Sequence, residues 1–593
     1  SSNTLKTGDA DLTLAVTLNS NSLIDSTGGT LKISGTVDNS SEIAIPGTEL
    51  ALSDDLAIAG TLTTGANSTI NRNNNELDLS GTLIKLGGGL NLAGSVTDNA
   101  TRIILQTDAS LANTSSTGIG SLDLNGYALT TSMGLTINDA LTLDASGEQL
   151  LTGSSDLTLN DSLVISDGTL ASTSGTLSFN STVSLGADGT IDIQGGELHV
   201  NGNISVDGGS FDLADSSKLK LNNDVTVTSN KALSFGTLEM NNRNLTFTAS
   251  QGADLTLKKA FTLDNSSTLQ MNGANLTFAE TATIKGLLEP SGGELKFQKG
   301  GSVSGTVNSK DSTLALETAN LVFTGILQTN GSTAITGADL LNLSQGATLE
   351  VAGSLTLDDV KTSSSTVLKI NTDTTITRNS PFTVGSVQLA GNTLTLGSAA
   401  TDLTIDNSAP AEGESAGTFK MQEADLTWTG PVKFNTAKVS STGGTLTLAD
   451  GSSLSASGLM ELSSGSLLSL NGKFTQSGGK LSANNTTIQV AGDYSKTGGD
   501  LTSSNASLKL TNDLTLSSDT PLLFKDLNLN GNVLSFGQQT SSFTLSDELI
   551  INTPNGQIVQ GSTSLKLNGG LRIDPSLSLI HISEPTRLGM SAY

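Results

Sequence analysis

Apolar and polar residues alternate along this chain in short runs, and nearly every run is closed by Gly, Asn, Asp or Ser. The commonest unit is Leu-Thr-Leu, found at Leu12–Leu14, Leu141–Leu143, Leu157–Leu159, Leu255–Leu257, Leu355–Leu357, Leu394–Leu396, Leu446–Leu448 and Leu514–Leu516. Leu122-Asp123-Leu124, Ile191-Asp192-Ile193 and Leu198-His199-Val200 have the same shape. Apolar residues at i and i+2 with a polar residue between them mark a strand with one buried face. The closing residues accept turns and positive φ. No i, i+3, i+4 pattern is sustained, so little helix is expected. Strands this short bury too little alone and become stable when stacked, each adding to one continuous core. The pattern therefore predicts an all-β fold, a long right-handed parallel β-helix (β-solenoid) of many short-strand coils, with Asn, Ser and Thr stacked as ladders at the turns.

A longer repeat supports coils. The segments starting at Leu122, Leu238, Val387 and Leu527 share the frame apolar-x-apolar-x-x-x-x-Leu, and a weaker copy runs from Ile70 to Leu79. Each strong copy has an echo downstream, at Leu157, Leu276, Leu426 and Leu565 respectively, and the offset from copy to echo is nearly constant. The spacing between the copies themselves is long and uneven, which reads as blocks of several coils duplicated with coils gained or lost. Residues 1–576 are expected to form one continuous solenoid with block copies near 70, 122, 238, 387 and 527. Coils of about 20–25 residues give about 25 turns and, at a strand spacing of about 4.8 Å, a length of roughly 120 Å. A string of β-sandwiches would need longer strands and denser aromatics.

Composition sharpens this. The formal charge is −27, from 29 Lys+Arg against 56 Asp+Glu, and no basic cluster is present, which argues against a nucleic-acid partner. No apolar run approaches the roughly 18 residues of a membrane helix. The absence of Cys removes disulfides, thiolate metal sites and a cysteine nucleophile. Aromatics make up 3% of the chain, which suits a narrow interior filled by Leu, Ile and Val.

Both ends draw attention. The chain begins Ser-Ser-Asn without a Met, so its true start is expected to lie elsewhere. Residues 577–593 are expected to be a non-native tail, because Leu577–Arg587 (LSLIHISEPTR) resembles the translated adapter of a sequencing library. His581 would leave with it.

Candidate chemistry is sparse. His199 alternates outward with Glu197, and such a pair can move protons; no third group or pocket accompanies it, and it is read as a solvated surface pair. Trp428, the only tryptophan, invites carbohydrate stacking, but it occupies the repeat column of Leu159, Phe278 and Leu567 and is read as core. The acidic pairs Asp54/Asp55, Asp188/Asp192 and Asp358/Asp359 can in principle bind Ca²⁺ or cleave glycosidic bonds. No EF-hand loop or Gly-Gly-x-Gly-x-Asp array accompanies them, and Gly208–Asp212 imitates one poorly. They are read as turn residues. Asn39-Ser40-Ser41, Asn244-Leu245-Thr246 and Asn275-Leu276-Thr277 are glycosylation sequons that arise from composition. Asn407–Thr418 is the best candidate for a long loop, acidic rather than catalytic in character. No catalytic or cofactor-binding residue and no cofactor is assigned, and Ca²⁺ has no motif to support it.

The short Leu-x-Leu strands, Gly/Asn turns, lack of Cys and block repeats resemble the β-helical stalks of bacterial surface proteins, in the style of filamentous-haemagglutinin-like adhesins and autotransporter passenger domains. The resemblance implies export to the extracellular space or cell surface. It implies a non-enzymatic, structural or adhesive stalk that meets glycans, host surfaces or other cells, with self-association as a further expectation. The alternatives on the same fold are a polysaccharide lyase or viral tailspike-type depolymerase, and an ice-binding or calcium-binding solenoid.

Overall fold

The computed structural model describes residues 3–574 apart from 20, 93–96, 114, 250–252, 331–332, 399 and 407–416. The tail from Leu577, with His581, and all but the last two residues of the Asn407–Thr418 segment lie outside the described residues. The fold is all-β, 57% strand and 1% helix, and its parallel stacked coils make a β-solenoid of about 27 turns. The 3₁₀ turn Ala338–Leu340 buries no side chain, so the core is built by strands. Among the described residues no helix is long and apolar enough to cross a membrane.

The chain divides into two compact units, residues 1–308 with 312–319, and residues 309–311 with 320–593. Within each, a strand pairs in parallel with the equivalent strand of the next coil. In the first unit Thr136 opposes Thr158, Thr158 opposes Ser178 and Ser178 opposes His199, each step advancing the chain by one coil. Such in-register stacking places like on like. Leu157, Leu177, Leu198, Leu219 and Leu238 form one column, each no more than 5% exposed. In the second unit a ten-strand stack runs from Phe382–Val384 to Leu571–Ile573.

The block repeat acquires a structural meaning. Its first segment is a strand in every strong copy: Ser121–Asp123, Thr237–Glu239, Ser386–Gln388 and Asp526–Asn528. A turn with two successive left-handed residues follows, at Asn125/Gly126, Asn241/Asn242, Ala390/Gly391 and Asn530/Gly531, and the weaker copy has Asn73/Asn74. Glycine and asparagine adopt that conformation most cheaply. Just before each strong copy a new stack of strands begins, with Thr117–Ile119, Leu233–Phe235, Phe382–Val384 or Leu522–Phe524 as its first member. The echoes at Leu157, Leu276, Leu426 and Leu565 lie in the third strand of each new stack. Two coils separate the first strand from the third, which accounts for the nearly constant offset.

Three kinds of side-chain bond tie coil to coil. Asn160 donates to Asn138 and Asn180 donates to Asn160, each at 2.7 Å, and Asn201 donates to Asn180, an asparagine ladder of the expected kind. Buried hydroxyls at the corners donate to the previous coil's carbonyls: Thr101 to Leu79 at 2.9 Å, Ser217 to Ile193 at 2.8 Å and Thr366 to Leu343 at 2.9 Å. Corner carboxylates and amides accept the backbone N–H that opens a strand one coil on, as Asp156 does from Thr176, Asp373 from Thr393 and Asp493 from Thr515, all at 2.8 Å. The second and third kinds satisfy backbone groups at strand ends that would otherwise need water. Much of the chain's acidity is therefore stitching between coils.

Candidate functional site on an outward strand face

His199 lies in the strand Glu197–Val200, with Leu198 and Val200 buried and Glu197 and His199 turned outward. Alternation fixes this, because the two apolar neighbours must face the core. The imidazole Nε2 is 2.8 Å from Glu197 Oε2. The next coil supplies Lys218, whose Nζ lies 3.2 Å from Glu197 Oε1 and 3.1 Å from Glu239 Oε1, two strands further on. Lys220 is the direct cross-strand neighbour of His199. The result is a cross-strand charge network, Glu197–Lys218–Glu239, with His199 hydrogen-bonded at one end.

The hydrogen bond from His199 and the contact with Lys218 hold the Glu197 carboxyl below the usual carboxylate range, against a smaller opposing effect of burial. Glu239 and Glu197 raise the Lys218 ammonium in turn. A carboxylate kept ionised and a histidine can exchange a proton with solvent. On this strand face the network also presents both signs of charge in a fixed pattern, which suits contact with a polar surface. The expected pair is present. Sequence reasoning missed Lys218 and Glu239, whose only signal is a register that depends on coil length.

The other candidates fall into place. Trp428 is 7% exposed and is met edge-on by Phe419 and Phe434, with ring centroids 5.2 and 5.4 Å away, so it is core. At the equivalent position of other blocks, Leu159 and Phe278 are each 1% exposed, whereas Leu567 in the last described coils is 37% exposed. Asp55 accepts the N–H of Glu76 at 2.8 Å, Asp358 that of Asn379 at 2.7 Å, and Asp192 a bond from the Gln194 amide. Among the described residues no three His, Asp or Glu side chains gather as a metal site. Gly208 donates to Asn230 at 2.8 Å in a turn. Asn39 is exposed, but the sequon residues Asn244 and Asn275 accept the N–H groups of Thr268 and Glu294 one coil on, at 2.9 and 2.7 Å.

A second outward feature is a threonine ladder, which the outward Thr of the Leu-Thr-Leu pattern allows. Thr383, Thr404, Thr427 and Thr447 are direct cross-strand neighbours in the second unit, a ladder one threonine wide along four successive strands. It is not the Thr-x-Thr array of an ice-binding face.

These features define a parallel β-solenoid whose distinctive chemistry lies on its outward strand faces. No family model, no curated protein and no solved structure matches the chain.

Proposed function

We propose that this protein is an extracellular structural and adhesive stalk at the cell surface, meeting glycans or other cells through a repeated polar face and performing no catalysis. The observation that carries this reading is the register-locked outward column, best seen in Thr383, Thr404, Thr427 and Thr447, which sets one hydroxyl on each strand at a spacing of about 4.8 Å. Weak contacts repeated at fixed spacing add up to useful avidity without a deep pocket. The Glu197–Lys218–Glu239 network supports the same mode of contact. Asp55 and Asp358, one from each of two acidic pairs, accept backbone N–H groups of the next coil, which supports a scaffold role for them.

The test is a panel of neutral and acidic polysaccharides incubated with the full chain, reading both retention on the immobilised polymer and soluble sugar released. Retention that grows with polymer length, with no sugar released, is the expected result. Release of oligosaccharides would overturn the non-enzymatic reading.

A further inference from the structure

Arg378 is the least expected side chain of the second unit. It follows the strand Thr374–Thr377, where Thr374 and Ile376 face inward, and alternation points Arg378 inward as well. The residue is only 6% exposed. Its Nη1 donates to Val360 O at 3.0 Å, its Nε to Ser380 O at 3.2 Å, and its Nη2 reaches Ser380 Oγ at 3.5 Å. The guanidinium carbon lies 5.0 Å from the centre of the Phe382 ring. A guanidinium has five N–H groups, so two have no acceptor among the described residues. Among the described residues it makes no ion pair. Asp358 and Asp359 act on it through space, while burial works against its charge.

The side chain lines an open cleft of about 430 Å³, with Asp359, Lys361, Phe382, Thr383 and Thr404 also on its walls. The cleft occupies a gap in the ladder. Asn342 bridges Lys361 one coil on, and a further coil step leads to Phe382–Val384, which among the described residues pairs only forward, with Leu403–Ile405. The Phe382 N–H donates to Asp402 O and Val384 O accepts from Asp406 N–H, so both residues turn their backbone groups to the next coil. Alternation along a parallel strand turns the backbone of Thr383 the other way, toward the gap. A desolvated cation, unspent donors and an open strand edge thus meet in one place.

We propose that this cleft is a binding site for a carboxylate, held by the free N–H fork of Arg378 with Lys361 adding charge at the rim. A planar carboxylate matches the guanidinium fork. A dianion such as sulfate meets stronger repulsion from Asp358 and Asp359 and from a chain of net charge −27, so a single negative charge is favoured. Thr383 and Thr404 bring hydroxyls to the same cleft, and the threonine ladder leads away from it. A carboxylate carried on a sugar would therefore be gripped at two kinds of group.

The experiment follows the arginine side-chain Nε–Hε signals of the full chain while acetate, D-glucuronate, sulfate and D-glucose are added in turn. The Arg378 signal is identified by its loss in Arg378→Lys. Acetate and glucuronate are expected to move it saturably, sulfate more weakly, and glucose not at all. Glucuronate binding several-fold tighter than acetate, reduced to the acetate level by Thr383→Val with Thr404→Val, identifies a sugar acid; equal affinities identify a free carboxylate. Lys361→Met, an exposed position that leaves the fold intact, is expected to weaken both several-fold. No saturable movement, sulfate binding as tightly as acetate, or affinity unchanged in Lys361→Met would each overturn the proposal. None of these outcomes depends on whether polysaccharides are retained by the outward faces elsewhere.

Discussion

Asp402 and Asp425 stand one coil apart and are linked in relay: the Asp402 carboxylate accepts the Asp425 N–H at 2.8 Å, and the Asp425 carboxylate accepts the Thr445 N–H at 2.6 Å. Each side chain closes the strand entry of the coil after its own, much as a capping residue closes a helix start. Removing a capping oxygen costs about 1 kcal/mol. Asp425→Ala is therefore expected to lower stability by about that amount, and Asp425→Asn, which keeps an acceptor, by less. Because coils interact chiefly with their neighbours, the loss should be local. Hydrogen exchange should show faster exchange at the Thr445 amide and little change at the Thr176 amide, which Asp156 caps in the other unit. Equal acceleration at both would mean that the relay carries no local stability.

Glu350 ties three coils of the second unit together. Its carboxylate bonds to Lys369 Nζ at 3.0 Å, Gln328 Nε2 at 2.9 Å and Asn371 Nδ2 at 3.3 Å. Burial works against its ionised form, but these three donors outweigh it and leave the carboxyl below its ordinary value. A lowered folded-state value means that the unfolded chain binds the proton first as pH falls. The stabilisation is thus complete above the ordinary glutamate range near pH 4.5 and is lost as pH falls through the lower folded value. Glu350→Gln should flatten the pH dependence of stability in that window, read by urea unfolding at a series of pH values. Because Lys369 is 39% exposed and partly screened, the loss at neutral pH should be about 1–2 kcal/mol rather than that of a fully buried pair. A pH profile unchanged by the substitution would remove Glu350 from the acid response.

The His199 network makes a different prediction. Glu197 is 38% exposed and Lys218 34%, so solvent screens their pair and it contributes little to stability. His199→Ala should leave the unfolding midpoint nearly unchanged. Since the His199 hydrogen bond is the largest influence holding Glu197 down, the same substitution should raise the Glu197 value toward the ordinary range, measurable by NMR titration of the side-chain carboxyl carbon. Lys218→Met should raise it as well, since it removes both a hydrogen bond and a neighbouring positive charge. A Glu197 titration unmoved in both variants would show that the network does not form in solution.

How much of this was legible in the sequence depends on distance along the chain. Strands such as Leu157–Leu159 were readable because alternation is a property of neighbouring residues. The same logic placed Glu197 with His199 outside, and the repeat alignment placed Trp428 inside. The block frame was visible, but its cause was not. That Leu238 marks the point where a new strand stack begins at Leu233 follows only from which strands pair. Lys218 and Glu239 were missed as partners of Glu197 because they lie one and two coils further along the chain, and coil length varies enough to blur the register. Arg378 did carry a local signal, an arginine in the inward phase of Thr374-Thr375-Ile376-Thr377-Arg378. The acidic charge misleads when read as a surface property, since residues such as Asp156 and Asp493 spend their carboxylates on the next coil's backbone.

Trp428 offers the last and simplest test, because it is the only tryptophan and reports on one place in the molecule. Wedged edge-on between Phe419 and Phe434, it should emit at short wavelength and resist quenching by acrylamide. If sugars bind at outward faces or in the Arg378 cleft, its spectrum should not change when saturating polysaccharide is added. Quenching or a red shift on adding polysaccharide would instead place the ring at the ligand and refute its core role. Trp428→Ala should cost about 3–5 kcal/mol through the cavity it leaves, whereas Trp428→Phe, the residue Phe278 supplies at the same place in another block, should cost less and preserve the stack. The comparison of these two variants separates volume from chemistry: a column that tolerates Leu159, Phe278 and Trp428 selects for inward apolar bulk alone.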